Sequence, residues 1–116
     1  MLAEILSDKS TKPKEKIESI SQLVLKREIK PADIITFLED AKDPDKANCV
    51  EALEFASKAD PKIIDKNTFD FVVKCLGEKA PRIKWEAAKV IGNTAHLFPT
   101  KIDNAISGLL ANSEHT

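Results

Sequence analysis

The chain has 116 residues, 42% of them apolar and 32% charged, and its 18 Lys+Arg against 19 Asp+Glu leave a net charge of −1. That size suits one compact unit, the apolar content excludes wholesale disorder, and the charge balance argues against a polybasic nucleic-acid binder and against a solubilising acidic tail. No apolar stretch approaches the roughly 18 residues of a membrane helix, and Met1-Leu2-Ala3-Glu4-Ile5-Leu6 is short and acidic, unlike a signal peptide.

Prolines punctuate the whole chain. They lie at positions 13, 31, 44, 61, 81 and 99, separated by 18, 13, 17, 20 and 18 residues. Proline fits the first turn of a helix and breaks its interior, so each marks a helix start. A stub helix over 1–7 comes first. In 13–28 the apolar stripe is Ile17, Ile20, Leu23 and Val24; in 31–41 it is Ile34, Ile35, Leu38 and Ala41; in 44–58 it is Cys49, Ala52, Leu53 and Ala56. Segment 61–78 is less regular: Asn67 or Thr68 caps a helix through Phe69, Val72, Val73 and Leu76, Gly77 stops it, and 61–66 forms a separate short turn. In 81–97 the stripe is Ile83, Ala87, Val90, Ile91 and Thr94, closed by Phe98, and in 99–112 it is Ile102, Ala105, Ile106, Leu109 and Leu110. The expected fold class is all-α.

Taken alternately, the prolines form two interleaved series. Pro31, Pro61 and Pro99 step by 30 and 38 residues, and Pro13, Pro44 and Pro81 by 31 and 37. A helix pair recurring at about that period is the pattern of an α-solenoid; an ordinary helical bundle with prolines in its loops is the alternative. The offset of 38 also lays Cys49-Val50 and Ala52-Leu53 on Ala87-Ala88 and Val90-Ile91, and Ile64-Asp65 on Ile102-Asp103. Segment 80–92 resembles the second helix of HEAT and HEAT-like repeats, with Ile83-Lys84, Ala87-Ala88 and Ile91-Gly92 in the places of its hydrophobic–basic, small and hydrophobic–Gly pairs. Asp43-Pro44-Asp45 resembles the inter-helix turn of such a repeat, and Pro61 and Pro99 the prolines that open first helices. Pro81 departs from that pattern, as does Glu54, which stands where the next repeat has Gly92.

The resemblance implies one domain over 1–116, a short right-handed α-solenoid of about three HEAT-like helix pairs with six to seven helices. The pairs fall at approximately 1–29, 31–59 and 61–97, followed by a lone helix over 99–112. A solenoid end needs a polar cap, yet this last helix carries Ile102, Ile106, Leu109 and Leu110. The chain is therefore expected either to be a fragment or to form a homo-oligomer through that helix; the alternative is that the last helix is itself a sufficient cap.

Catalytic chemistry finds little support. His96 and His115 are the two histidines, Cys49 and Cys75 lie far from both in sequence, and no CxxC, HxxxH, HExxH, GxSxG or Gly-rich phosphate loop occurs. The two cysteines sit on or beside apolar stripes and read as small core residues, not as a disulfide scaffold, so a cytoplasmic setting is expected. Acid pairs such as Glu51/Glu54 and Asp43/Asp45 read as a solvated face or a capped turn, and nothing in the sequence signals a buried acid. Neither enzyme activity, a metal nor a cofactor is expected.

Binding remains. At about 100° per residue, Trp85, Lys89, Gly92 and His96 fall opposite the apolar stripe of their helix. One offset of 38 earlier stand Ala47, Glu51, Glu54 and Lys58. HEAT-like arrays use the exposed face of second helices as a binding surface, so the resemblance implies docking of a protein partner along this ridge, with Trp85, Lys89, His96, Glu51, Glu54 and Lys58 as candidate contacts. Trp85 packed beneath the 44–58 helix or against Phe98 is the alternative placement. Some HEAT-like proteins bind DNA and process alkylated bases through a basic groove. Residues 1–42 carry 8 basic and 8 acidic groups, 43–79 carry 6 and 8, and 80–116 carry 4 and 3, which speaks against nucleic acid as the partner.

Overall fold

The computed structural model describes residues 2–98. It contains six helices: α1 (Leu2–Ser7), α2 (Pro13–Leu25), α3 (Pro31–Leu38), α4 (Asp43–Ala59), α5 (Lys66–Cys75) and α6 (Pro81–Thr94). Two 3-10 turns, Pro61–Ile63 and Ala95–Leu97, follow α4 and α6, and no strand occurs among the described residues. Residues 99–112, and with them Ile102, Ile106, Leu109 and Leu110, lie outside the described residues.

Proline starts four of the helices. Pro13, Pro31, Pro44 and Pro81 stand in the first turns of α2, α3, α4 and α6, and the residues before those helices (Lys12, Lys30, Lys42 and Ala80) are extended and make no side-chain cap. The ring presets φ, and the amide hydrogen it lacks is one a helix start would leave unpaired anyway. The fifth start is different. Asp65 is the cap of α5, its carboxylate accepting from the Thr68 backbone N–H at 2.8 Å. Asn67 and Thr68, expected as caps, are already inside the helix. The capping oxygen must come from the residue just before the first turn to reach an N–H three residues on.

Some helices end earlier than their apolar stripes suggest. α2 stops at Leu25 rather than at 28, because Arg27 takes a left-handed conformation (φ 62°). Its N–H donates to the Val24 carbonyl (3.0 Å) and the Glu28 N–H to the Leu23 carbonyl (2.9 Å), the reversed pattern of a Schellman cap. Glycine is the usual occupant there, since a Cβ is strained at positive φ. Arg27→Gly is expected to raise stability by up to about 1 kcal/mol, measured by urea unfolding; a loss would show that the arginine side chain outweighs the backbone strain. Gly77, by contrast, does not use its conformational freedom. Its φ is negative, and its N–H simply donates to the Lys74 carbonyl at 3.0 Å.

The helices pack in a definite order. α4 lies between α2 and α6, α3 touches α4 and α5, α5 touches α6, and α1 rests on α2. The row α2–α4–α6 is thus continuous, with α3 and α5 against one side of it. Small side chains let α4 approach neighbours so closely: Ala47, Cys49, Ala52, Ala56 and Ser57 are all buried. Around them Ile20, Ile34, Leu38, Leu53, Phe69, Val72, Ile83 and Val90 fill one core. Phe98 closes it, its ring stacked on Phe69 with centroids 4.6 Å apart. Both cysteines belong to this core, and burial pushes the Cys49 thiol up to about 12 and the Cys75 thiol to about 11, so neither forms a thiolate near neutral pH.

Polar contacts fasten the connections. The Asp8 carboxylate accepts from the Ser10 hydroxyl (2.6 Å), the Ser10 N–H (2.9 Å) and the Thr11 hydroxyl (2.8 Å), which hold its pKa below the ordinary value. Lys16 Nζ donates to the Leu6 carbonyl at 2.8 Å, tying α2 to the end of α1. Lys46 of α4 pairs with Glu78 in the turn before α6.

Candidate functional site

The two large apolar side chains that stand exposed among the described residues are Trp85 (74% exposed) and Phe55 (41%). Both lie on the row α2–α4–α6. α4 gives its other sides to α2, α6 and α3, and α6 to α4 and α5, so the solvent side of the row is where these rings are left. The core placement of Trp85, the alternative in the sequence, is not what the fold adopts. Phe55 has no part in the sequence expectation. It lines a shallow groove of about 320 Å³ between α2 and α4 with Glu18, Gln22, Leu25 and Ala59. A signal for it exists: Phe55 is off the stripe of Cys49, Ala52, Leu53 and Ala56, and a large apolar residue on the polar face of a helix asks for a reason.

Around Trp85 a small polar network forms. Lys89, one turn on, holds its ammonium 5.7 Å from the indole centroid and donates to Glu86 Oε1 at 3.0 Å. Arg82 Nη2 reaches across to Glu51 Oε1 on α4 at 3.0 Å. Further along, Asn93 Nδ2 donates to the Glu54 carbonyl (3.2 Å) and to Ser57 Oγ (3.1 Å), locking α6 to α4. Of the candidate contacts, the fold therefore brings Trp85, Lys89 and Glu51 into one neighbourhood, with Glu54 beside it. Lys58 and His96 are exposed, and no hydrogen bond or ion pair among the described residues joins either to that cluster. Gly92 leaves open space where a Cβ would stand.

Glu86 is a buried acid, one that the pairs Glu51/Glu54 and Asp43/Asp45 do not signal. It is 3% exposed, and its Oε2 has no hydrogen-bond partner. Burial raises its pKa above the ordinary 4.5 and the Glu51 carboxyl adds to the rise, while the Lys89 ammonium opposes them. The spacing holds this too. Glu86 is three residues after Ile83 and four before Val90, both fully buried, so it falls on the face that α6 turns to α4. Ile91, expected on the stripe, is half-buried.

A raised acid costs stability where it is ionised. The folded chain holds the Glu86 proton more tightly than the unfolded chain, so its contribution to stability falls as pH rises from about 4.5 through the raised value. Glu86→Gln removes that dependence. Its melting temperature is expected to gain on the wild type between acidic and neutral pH, and a difference independent of pH would contradict the assignment.

Among the described residues no group of three His, Cys, Asp or Glu side chains is placed to hold a metal ion, and no helix is long and apolar enough to cross a membrane. No family model matches the chain, and neither a curated protein nor a solved structure matches it.

Proposed function

We propose that this chain is a non-catalytic protein-interaction module, a short right-handed α-solenoid of HEAT-like helix pairs that binds a partner along the solvent side of α2, α4 and α6. The observation that carries the reading is that both large apolar side chains exposed among the described residues, Phe55 and Trp85, stand on this one row. Monomeric surfaces scatter such residues singly, and tryptophan is enriched where binding energy concentrates. The solenoid reading is supported by the contacts of α4 with both α2 and α6 and of α3 with α5, the order in which stacked helix pairs meet, together with the likeness of residues 80–92 to a HEAT second helix.

Affinity capture from native-source lysate tests the reading, with nuclease-treated lysate alongside. A stoichiometric protein that survives nuclease and is lost with Trp85→Ala or Phe55→Ser supports it. Recovery of nucleic acid, with proteins lost after nuclease, would favour a DNA-directed HEAT-like protein instead. Gly92→Ala refines the location. Alanine removes the helix penalty of an interior glycine and meets no neighbour, so stability is expected to rise by up to about 1 kcal/mol. A partner that approaches the helix backbone closely would lose affinity for this more stable variant; unchanged affinity would place contact away from Gly92.

A further inference from the structure

Resting on that reading, we infer that the occupant of the α6 end of the row is a short acidic peptide segment carrying an apolar side chain. The apolar group lies against Trp85, and the carboxylates meet the exposed cations of α6.

Along the chain, α6 is the cationic segment, set beside Glu51 and Glu54 of α4. Residues 79–98 hold four basic side chains and one acid, whereas residues 2–78 hold thirteen basic side chains and sixteen acids. The single acid, Glu86, is buried, so every charged side chain that α6 shows to solvent is a cation: Arg82, Lys84 and Lys89. Lys84 has no ion pair or hydrogen bond among the described residues. Arg82 and Lys89 each hold a carboxylate with one edge and keep about half of their side chains in water, 46% and 53% exposed. Trp85, Pro81 and Arg82 line a shallow, almost wholly apolar cleft of about 460 Å³ at the start of α6. An apolar anchor with Arg82 in its wall and Lys84 and Lys89 on the same helix is complementary to an apolar residue flanked by Asp or Glu.

A nucleic acid fits less well. A phosphate chain following the row would run past Glu51 and Glu54, which already neighbour the α6 cations, and on to Glu18 of α2, all of them half-buried or exposed. A short acidic segment needs only the α6 face, and its binding is expected to weaken as salt rises.

Trp85 is the chain's only tryptophan, so its emission reports on this spot alone. A library of short random displayed peptides would be selected on the folded chain and counter-selected on Trp85→Ala. The expected binders are rich in Asp and Glu around a Leu or Phe, shift Trp85 emission to shorter wavelength, and weaken about tenfold or more with Lys84→Glu. Lys84→Glu breaks no ion pair or side-chain hydrogen bond among the described residues, and an unchanged melting temperature checks that it folds. Trp85-dependent binders of neutral or basic composition would overturn the acidic occupant and leave the ridge reading standing. An oligonucleotide that shifts the emission at lower concentration than any peptide would overturn it in favour of nucleic acid. A library yielding no Trp85-dependent binder would overturn both.

Discussion

Phe69→Ala is expected to cost about 3–5 kcal/mol, a large share of the stability of a small domain. Phe69 is fully buried on α5, which packs on both α3 and α6. Its ring stacks on Phe98 at 4.6 Å, so truncation removes an aromatic pair as well as the apolar burial. The cavity has little room to collapse, because Val72, Ile83 and Val90 in the same core are themselves fully buried on helices held in place from other sides. Urea unfolding measures the loss. A cost under about 1 kcal/mol would mean that the site refills and that Phe69 does not bridge the helices as described.

Trp85→Ala is expected to do the reverse: little to stability, much to binding. The side chain is 74% exposed and its polar neighbour is Lys89, an exposed cation–π contact that contributes about 0.5–1 kcal/mol. A partner seated on the indole would lose about 2 kcal/mol or more on truncation, roughly thirtyfold in affinity. Thermal melting and a titration with the captured partner separate the two effects. A fall in melting temperature of many degrees with affinity unchanged would move the site elsewhere.

Much of the fold is legible in the sequence because proline is a strong local signal. Pro13, Pro31, Pro44 and Pro81 each open a helix, and Pro61 opens the short turn expected before α5. Their effect is written into their own rings and needs no tertiary information. Ends are harder. A left-handed cap at Arg27 cannot be read from the arginine itself, since that position normally selects glycine. Asp65 is easily overlooked as a cap because the apolar run begins only at Phe69, which draws attention to the residues immediately before it.

The candidate site is legible in part for a related reason. Trp85 and Lys89 follow from helix geometry alone, being one turn apart on the polar face. Glu86 and Phe55 break the rule that charge faces water and apolar side chains face the core, and which rule yields depends on the neighbouring helix. Glu86 lies inside because α4 covers that flank of α6, and Glu51 and Lys89 supply its polar company. Phe55 lies outside because it borders the groove between α2 and α4, which nothing among the described residues fills. Neither neighbour is visible to a reading of one helix at a time.

The most direct test of docking on this row is site-specific photo-crosslinking in nuclease-treated native-source lysate. A photoreactive residue replaces Ala88, exposed on α6, in one protein and Ala32, exposed on α3, in another. A discrete protein adduct from position 88, competed by unlabelled wild type but not by Trp85→Ala, and none from position 32, is the predicted result. An adduct from position 32 alone would contradict the account and place the partner on the opposite side of the molecule.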